Sequence, residues 1–443
     1  MTHVVLRERG RVHRWTEDGS PPEGGLDDVW LDARRFEQLA AADEARTSKD
    51  RLFEWRRGDA VARSWVGVQQ LPGLTLELLP KIDGEDGGAA LARDNLMAML
   101  DEAGEVPLRA RDHADLAVSR GPLHERLITR FARRLCEELT RGPDRGYVSR
   151  VEDLGVMRGK LVMSAHLRRN AARRDRFTCA FEELSEDTLL NRVLRAACRV
   201  LMPVVRAEPA REALGRALAL LDPLTELPEP QVWVDRVVLD RRNERFADLL
   251  AFSKLVLRQL RPTGRAGRTP IFSLLFDMDK VFEGFVTAFV QRRVRPLVEG
   301  VEVHPQAKGR PTWLARGSGG QVLKLHPDLL VERQGRSLVL DTKWKRAASK
   351  SEERGAGMTR EDLYQLSAYT RRFNARRSVL IYPWMAGATP RGFDLLGPDG
   401  RPDGGQILTR FVRLDRRLNR QADRELLAVE LAGILNEGLE AGP

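Results

Sequence analysis

Asp328, Asp341 and Lys343 stand out in LHPDLLVERQGRSLVLDTKWK (325–345), because their spacing brings two carboxylates and an amine to one place. The segment reads as two apolar strands around Gln334-Gly335, a two-residue hairpin signal. A turn centred there sets a register in which Asp328 faces Asp341, with Cβ atoms about 4.5–5.5 Å apart. Lys343 lies two residues beyond Asp341, so the strand period returns it to the same face.

That set suits phosphodiester hydrolysis, which needs an activated water, neutralisation of charge on the phosphate, and help for the departing oxygen. Mg²⁺, or Mn²⁺ in its place, serves all three, and Mg²⁺ prefers one or two carboxylates plus waters and phosphate oxygens. Asp328 and Asp341 are the candidate metal ligands. The Thr342 carbonyl is the first choice of additional oxygen donor, with the Leu329 and Leu340 carbonyls nearby. Lys343 would orient or help deprotonate the attacking water and neutralise charge in the transition state. Taken singly, these residues also read as turn-flanking acids and an exposed strand end. Taken together that reading is less plausible, because the neighbouring strand positions are apolar: Leu329, Val331, Leu338 and Leu340 on one side, Leu330 and Val339 on the other. Two facing carboxylates in such a place repel unless a cation joins them.

The rest of the chain has room to hold this site. Its 443 residues allow two or three domains, and 42% hydrophobic with 31% charged residues fits a globular protein. No apolar run approaches the roughly 20 residues a membrane-spanning helix needs. The charged N-terminus MTHVVLRERGRVHRW is unlike a secretory signal. Cys136, Cys179 and Cys198 are too few and too scattered for a disulfide framework or a zinc site, so a cytoplasmic location is expected. A net charge of +10 points to a polyanionic partner. Between Val301 and Leu380, 16 basic residues oppose 8 acidic ones, which concentrates the excess around the hairpin. A second run, Arg158 to Arg176, carries seven cations against Asp175, although a solvated face would look the same. Of 74 basic residues only 10 are lysine, so Lys343 and Lys345 within DTKWKR are informative. A lysine amine has a pKa that its surroundings can move, unlike arginine.

The elements that position the hairpin follow from periodicity. Residues 1–183 read as a β-rich region, with a hairpin around Pro72-Gly73 and helices over Leu91–Ala103 and His124–Thr140. Arg150–Leu167 reads as a short extended or turn-rich module. Residues 184–262 read as helical, and RPTGRAGRTP (261–270) as the boundary. Within 263–443, a helix is expected from Ile271 to Val294, with Met278, Phe282, Phe285 and Phe289 as its apolar stripe and Glu283 on the flank. The hairpin comes next, then a charged loop from Arg346 to Met358. A helix capped by Thr359 and Asp362, a buried strand over Ser378–Trp384 and a closing helix over Asp423–Leu439 complete the chain. The expected class is α/β (α+β), with a C-terminal mixed-sheet sandwich behind a β-rich domain and a helical region.

Pro327-Asp328, Asp341-Thr342-Lys343, and Gln365 and Tyr369 in YQLSAY together resemble the PD-(D/E)XK nuclease pattern of the RecB-like branch. More narrowly, LFDMDKVFEGFV, PDLLV, LDTKWK and DLYQLSAY in this order resemble the McrC family, the endonuclease subunits of McrBC modification-dependent restriction systems. LELLPKI, RGKL and LLNRVLR upstream agree. The resemblance implies that Asp328 and Asp341 hold metal and that Lys343 is the catalytic lysine. Gln365 and Tyr369, one turn apart on a helical face, would contact phosphate or position the lysine. Glu283 is a further candidate acidic ligand. The resemblance also implies double-stranded DNA as substrate and a hexameric McrB-like AAA+ GTPase as partner. The chain itself has no GxxxxGK[ST] phosphate loop. A stand-alone RecB-like nuclease and a nuclease-dead DNA-binding scaffold are the alternatives.

Overall fold

The computed structural model describes residues 2–16, 22–82, 88–108, 121–258, 272–345 and 358–440. The expected boundary at 261–270 lies outside these residues. So do the charged loop except Met358 and the DGEDGG break except Gly88. Contacts divide the chain into two compact units, Met1–Leu123 with Leu275–Pro443, and His124–Leu274.

The first unit begins with β1 (Thr2–Arg7), β2 (Arg11–Trp15), β3 (Asp28–Asp32), α1 (Ala33–Glu44), β4 (Phe53–Trp55), β5 (Asp59–Ala62), β6 (Trp65–Leu71), β7 (Leu74–Leu79) and α2 (Ala89–Ala103). β6 and β7 form the hairpin expected at Pro72-Gly73, where Gly73 takes a φ of +77° that suits glycine. The side chain of Asp32 starts α1 by accepting a hydrogen bond from Arg35 N at 2.9 Å. β2 to β5 form one sheet of order β3-β2-β5-β4.

The second unit carries α3 (Leu123–Thr140), β8 (Gly146–Leu154), β9 (Lys160–Leu161), α4 (Met163–Arg169), β10 (Phe177–Ser185), α5 (Leu189–Leu201), α6 (Glu208–Leu220) and α7 (Ala247–Arg258). Its strands pair in the order β8-β10-β9. Phe131 and Phe252 pack with ring centroids 5.0 Å apart, joining α3 to α7. Glu125 accepts hydrogen bonds from Arg206 N and Ala207 N, covering the start of α6.

The first unit resumes with β11 (Ser273–Asp277) and α8 (Met278–Phe289). Here the sequence expectation needs correction, because the helix placed from Ile271 starts only at Met278. A short apolar run such as SLLF reads as strand or helix by periodicity. Sheet pairing decides it: β11 joins the order β1-β7-β6-β11, and Asp277 caps α8 by accepting from Asp279 N. Met278, Phe282, Phe285 and Phe289 are buried as expected. On its α2 side α8 has Gly284, where an added Cβ would come 3.1 Å from the Ala103 Cβ.

Then follow β12 (Glu302–Pro305), β13 (Trp313–Gly317), β14 (Gly320–Lys324), β15 (Leu329–Arg333), β16 (Arg336–Thr342), α9 (Arg360–Arg372), β17 (Ala375–Pro383), β18 (Arg391–Leu396), β19 (Pro402–Val412) and α10 (Gln421–Leu439). Six of them make a mixed sheet of order β12-β15-β16-β17-β19-β18, parallel at its centre and antiparallel toward both edges. α9 covers one face through Leu366 and Tyr369 packed on Leu330, Val339, Leu380 and Tyr382. On the opposite face Leu338 meets Gly438 of α10, where an added Cβ would lie 2.6 Å from its methyls. The result is the mixed α/β sandwich expected from the pattern. No helix among the described residues is long and apolar enough to cross a membrane.

Residues far apart in sequence knit this unit together. Asn95, fully buried on α2, donates to Leu414 O and Arg416 O at 2.7 Å each and accepts from Leu418 N at 2.9 Å. Glu8 Oε1, just after β1, accepts from Trp344 Nε1 at 2.5 Å and from Lys81 N at 2.9 Å. Trp344 in turn packs on Phe282 of α8, with ring centroids 5.2 Å apart.

Candidate active site

The hairpin has the register that its turn dictates. Gln334 and Gly335 take φ of +50° and +79°, the double left-handed turn that matches strand twist, and Leu329 pairs with Leu340. Asp328, one step before β15, therefore lies across from Asp341. Lys343 follows β16, and its backbone N–H donates to Ile381 O of β17.

Asp341 is 2% exposed. Its Oδ2 meets the Lys343 ammonium at 2.8 Å, a charged contact that offsets only part of the cost of burial. Asp328 Oδ2 is satisfied differently, accepting from Thr342 N and Thr342 Oγ1 at 2.6 Å each. Burial and then the Asp328 carboxylate push Asp341 up to about 6. Burial and the Glu283 carboxylate raise Asp328 as well. Burial opposes the charge on Lys343, but Asp341 and then Asp328 outweigh it and the ammonium is held above its ordinary value. Two buried acids with raised pKa values, a third carboxylate at Glu283 and one lysine among them make a site short of positive charge. A divalent cation with oxygen preference fits that shortage.

Around this pair the remaining predicted residues fall into place by element. Glu283 on α8 is close enough for its charge to act on Asp328, and it accepts a long hydrogen bond, 3.4 Å, from Gln306 Nε2. Gln365 Nε2 donates to Tyr369 Oη at 2.9 Å, and Tyr369 Oη donates to His326 O at 3.1 Å. The helical pair thus ties down the backbone two residues before Asp328. Thr359 and Asp362 form the expected capping box at the start of α9.

Two participants escape sequence reasoning. Asp362 pairs with Lys345, and its charge acts on both Asp341 and Lys343. Capping explained Asp362 already, which hid its second task. Asp279, four residues before Glu283 and so on the same face of α8, is held up by burial and Asp277, while Lys343 acts against that rise. A separate group, Glu302, His304 and Glu332, brings its ligand atoms within 4.8 Å of one another. It sits on β12 and β15, and the Arg310 guanidinium already lies 3.0 Å from Glu332 Oε2. Glu302 is exposed and His304 and Glu332 are only half-buried, whereas Asp341 is buried against a second raised acid, so the Asp328–Asp341 pair is the better-suited centre.

A family model described as McrBC 5-methylcytosine restriction system component matches residues 60–383. Among solved structures, the chain is similar to one in the refined half-complex from a tetradecameric assembly of Thermococcus gammatolerans McrB AAA+ hexamers with bound McrC. The TM-score is 0.69 at 21% identity, over 98% of this chain and 100% of that one. The cryo-EM structure of the Thermococcus gammatolerans McrBC complex holds another similar chain, with a TM-score of 0.50 at 23% identity over 66% of this chain and 88% of that one. At such identities the likeness is one of fold. No curated protein matches the chain at a significant level.

Proposed function

Since the chain belongs to the family of McrBC 5-methylcytosine restriction system components, we propose that it is the McrC-type subunit, the Mg²⁺-dependent DNA endonuclease of a GTP-dependent complex specific for modified cytosine. The observation that carries this reading is the buried Asp341, facing Asp328, paired with Lys343 at 2.8 Å and still raised to about 6 by burial and the Asp328 carboxylate.

Asp328 and Asp341 would hold the metal, with the Thr342 carbonyl as a further oxygen and Glu283 as an additional acid behind Asp328. The ion would supply Lewis-acid polarisation of a phosphoryl oxygen and acidify a water toward neutrality. Lys343 acts as a cation rather than a base, because Asp341 keeps its proton on. From that position it neutralises charge developing on the phosphate. Gln365 and Tyr369 hold the His326-Pro327-Asp328 backbone, and with it the first carboxylate. Lys345 and Asp362 pin the strand end to the start of α9.

The partner would be a McrB-like AAA+ GTPase hexamer, a reading supported by the first assembly named above, which holds McrB AAA+ hexamers with bound McrC. The basic Arg158–Arg176 run supports a contact with that motor or its nucleotide, since a cation brought to a phosphate site stabilises developing charge. It lies on the β8-β10-β9 module, where Val156, Met157, Met163 and Leu167 are also exposed. Alanine at Arg168, Arg169, Arg173 and Arg174 should lower stimulation of the partner's GTPase. Unchanged stimulation would remove this contact.

Cleavage of methylated and unmethylated plasmid with Mg²⁺, with and without GTP and the partner, tests the central reading. Wild type should cut methylated DNA in a GTP-dependent way, and Lys343→Ala should lose about 10³-fold, the scale of removing one transition-state charge partner. Activity that survives the substitution would sink the catalytic assignment. Cleavage without GTP would favour a stand-alone RecB-like nuclease. GTPase stimulation with no cleavage would favour the scaffold.

A further inference from the structure

Between β12 and Asp328 the chain leaves the six-stranded sheet and makes a separate two-stranded ribbon, β13 and β14, paired from Trp313–Lys324 to Gly317–Gly320. After Trp313 every residue of β13 is exposed, as are Gln321 to Lys324 of β14, so both faces meet solvent. Leu314, Val322 and Leu323 are 42%, 45% and 69% exposed. Leu323 also takes a φ of +56°, a conformation that residues other than glycine rarely adopt. An apolar side chain in a strained, solvent-facing position does nothing for the core, and strain of this kind gathers at functional sites.

The charge on this segment has one sign. Residues 303–327 contain Lys308, Arg310, Arg316 and Lys324 and no acid. Arg310 is tied to Glu332, whereas no ion pair among the described residues engages Lys308, Arg316 or Lys324. The base of the ribbon is fixed to the candidate active site. Leu325 N donates to Thr312 O at 2.8 Å, Arg372 Nε of α9 donates to Trp313 O at 2.9 Å, and Tyr369 Oη holds His326 O. Five residues per strand span roughly 17 Å, and a two-stranded ribbon fits a major groove about 12 Å wide.

We propose that the β13–β14 ribbon is a duplex-DNA-binding element that enters a groove beside the scissile phosphate, with Arg316 and Lys324 on the backbone and Leu323 against base edges. This deepens the nuclease reading and rests on it for the identity of the substrate. Apolar contacts and phosphate contacts do different work, since the first sense the groove and the second set the salt dependence.

The test uses the full chain carrying Lys343→Ala, so that binding is read without cleavage, and a short duplex followed by fluorescence anisotropy across a salt series. Adding Arg316→Ala and Lys324→Ala should weaken binding about tenfold at moderate salt and flatten the log–log salt slope by about two, one per lost phosphate contact. Arg316→Lys with Lys324→Arg should keep the slope. Leu323→Gly should weaken binding with the slope unchanged. Affinity and slope unaltered in the double alanine variant, or no duplex binding by the parent chain, would overturn the proposal. So would equal loss in the charge-conserving variant, which marks a folding role. Loss of co-elution with the AAA+ partner while DNA affinity stays intact would reassign the ribbon to a protein surface. Failure of the nuclease reading shows separately, as cleavage that survives Lys343→Ala alone.

Discussion

Glu77 and Asp341 are both buried carboxylates of the same unit, yet they stand at opposite ends of acidity. At Glu77 burial would raise the pKa, but His3 and the Arg93 guanidinium outweigh it and hold the group down to about 2. Arg93 grips both oxygens, with contacts of 2.7 to 3.0 Å. At Asp341 burial wins, a second acid adds to it, and one lysine does not compensate. A carboxylate kept for stability is surrounded by donors. The one proposed to bind a cation has a single lysine and a second acid beside it.

The largest effect should come from breaking the satisfied side. Glu77→Ala leaves Arg93 as a partly buried charge without its partner, and should cost about 3–5 kcal/mol in chemical denaturation. A loss under about 1 kcal/mol would show that the pair contributes little beyond a surface bridge.

Glu8 gives the next test, because it is buried like Glu77 but raised to about 7, by burial first, against hydrogen bonds from Lys81 N and Trp344. A raised carboxyl favours the neutral form in the fold. Its contribution is complete below the ordinary value of 4.5 and is lost as pH climbs through 7. The window amounts to roughly 3 kcal/mol at 1.36 kcal/mol per unit. Glu8→Gln keeps an oxygen for Trp344 and removes the titration. Its melting temperature should overtake that of wild type between about pH 5 and pH 8. Parallel curves for the two proteins across that range would refute the buried, neutral Glu8.

On the unsatisfied side the sign reverses. Asp341→Asn should abolish cleavage yet stabilise the metal-free protein by about 1 kcal/mol, since removing a buried charge that its lysine only partly offsets is favourable where function, not folding, required it. The gain should appear above pH 6 and fade below it, where Asp341 is already protonated. Destabilisation of metal-free Asp341→Asn would mean that the Lys343 pair already satisfies the site. The smallest expected change is that of Glu283→Gln. Relieved of one neighbouring charge, Asp328 should titrate lower, with stability altered by no more than about 0.5 kcal/mol. NMR titration of the Asp328 carboxyl can read that shift, and an unmoved curve would remove Glu283 from the site.

The candidate site was legible wherever its geometry is local. The Gln334-Gly335 turn fixes the register that faces Asp328 with Asp341. The spacing of Gln365 and Tyr369 puts them on one face of α9, and Thr359 with Asp362 announces its first turn. Elements whose identity depends on a distant partner were not legible. β11 reads as helix until β6 pairs with it. β18 and β19 carry too weak an alternation to announce themselves, and β13 and β14 bury almost nothing, so no apolar period marks them. The pairing of Lys345 with Asp362 was hidden because capping already explained the aspartate.

The sequence by itself determined the turn, the strand period and the helix cap, and hence the convergence of Asp328, Asp341 and Lys343, because each depends on backbone geometry within a few residues. Only the tertiary structure decided which acids are charged, and which ends of the chain build one unit. Asn95 bonds to backbone groups more than three hundred residues away, and Glu8 reaches Trp344 across 336 positions. Burial and the company of other charges set the protonation of Glu8, Glu77 and Asp341. Neither is a property of the neighbouring letters.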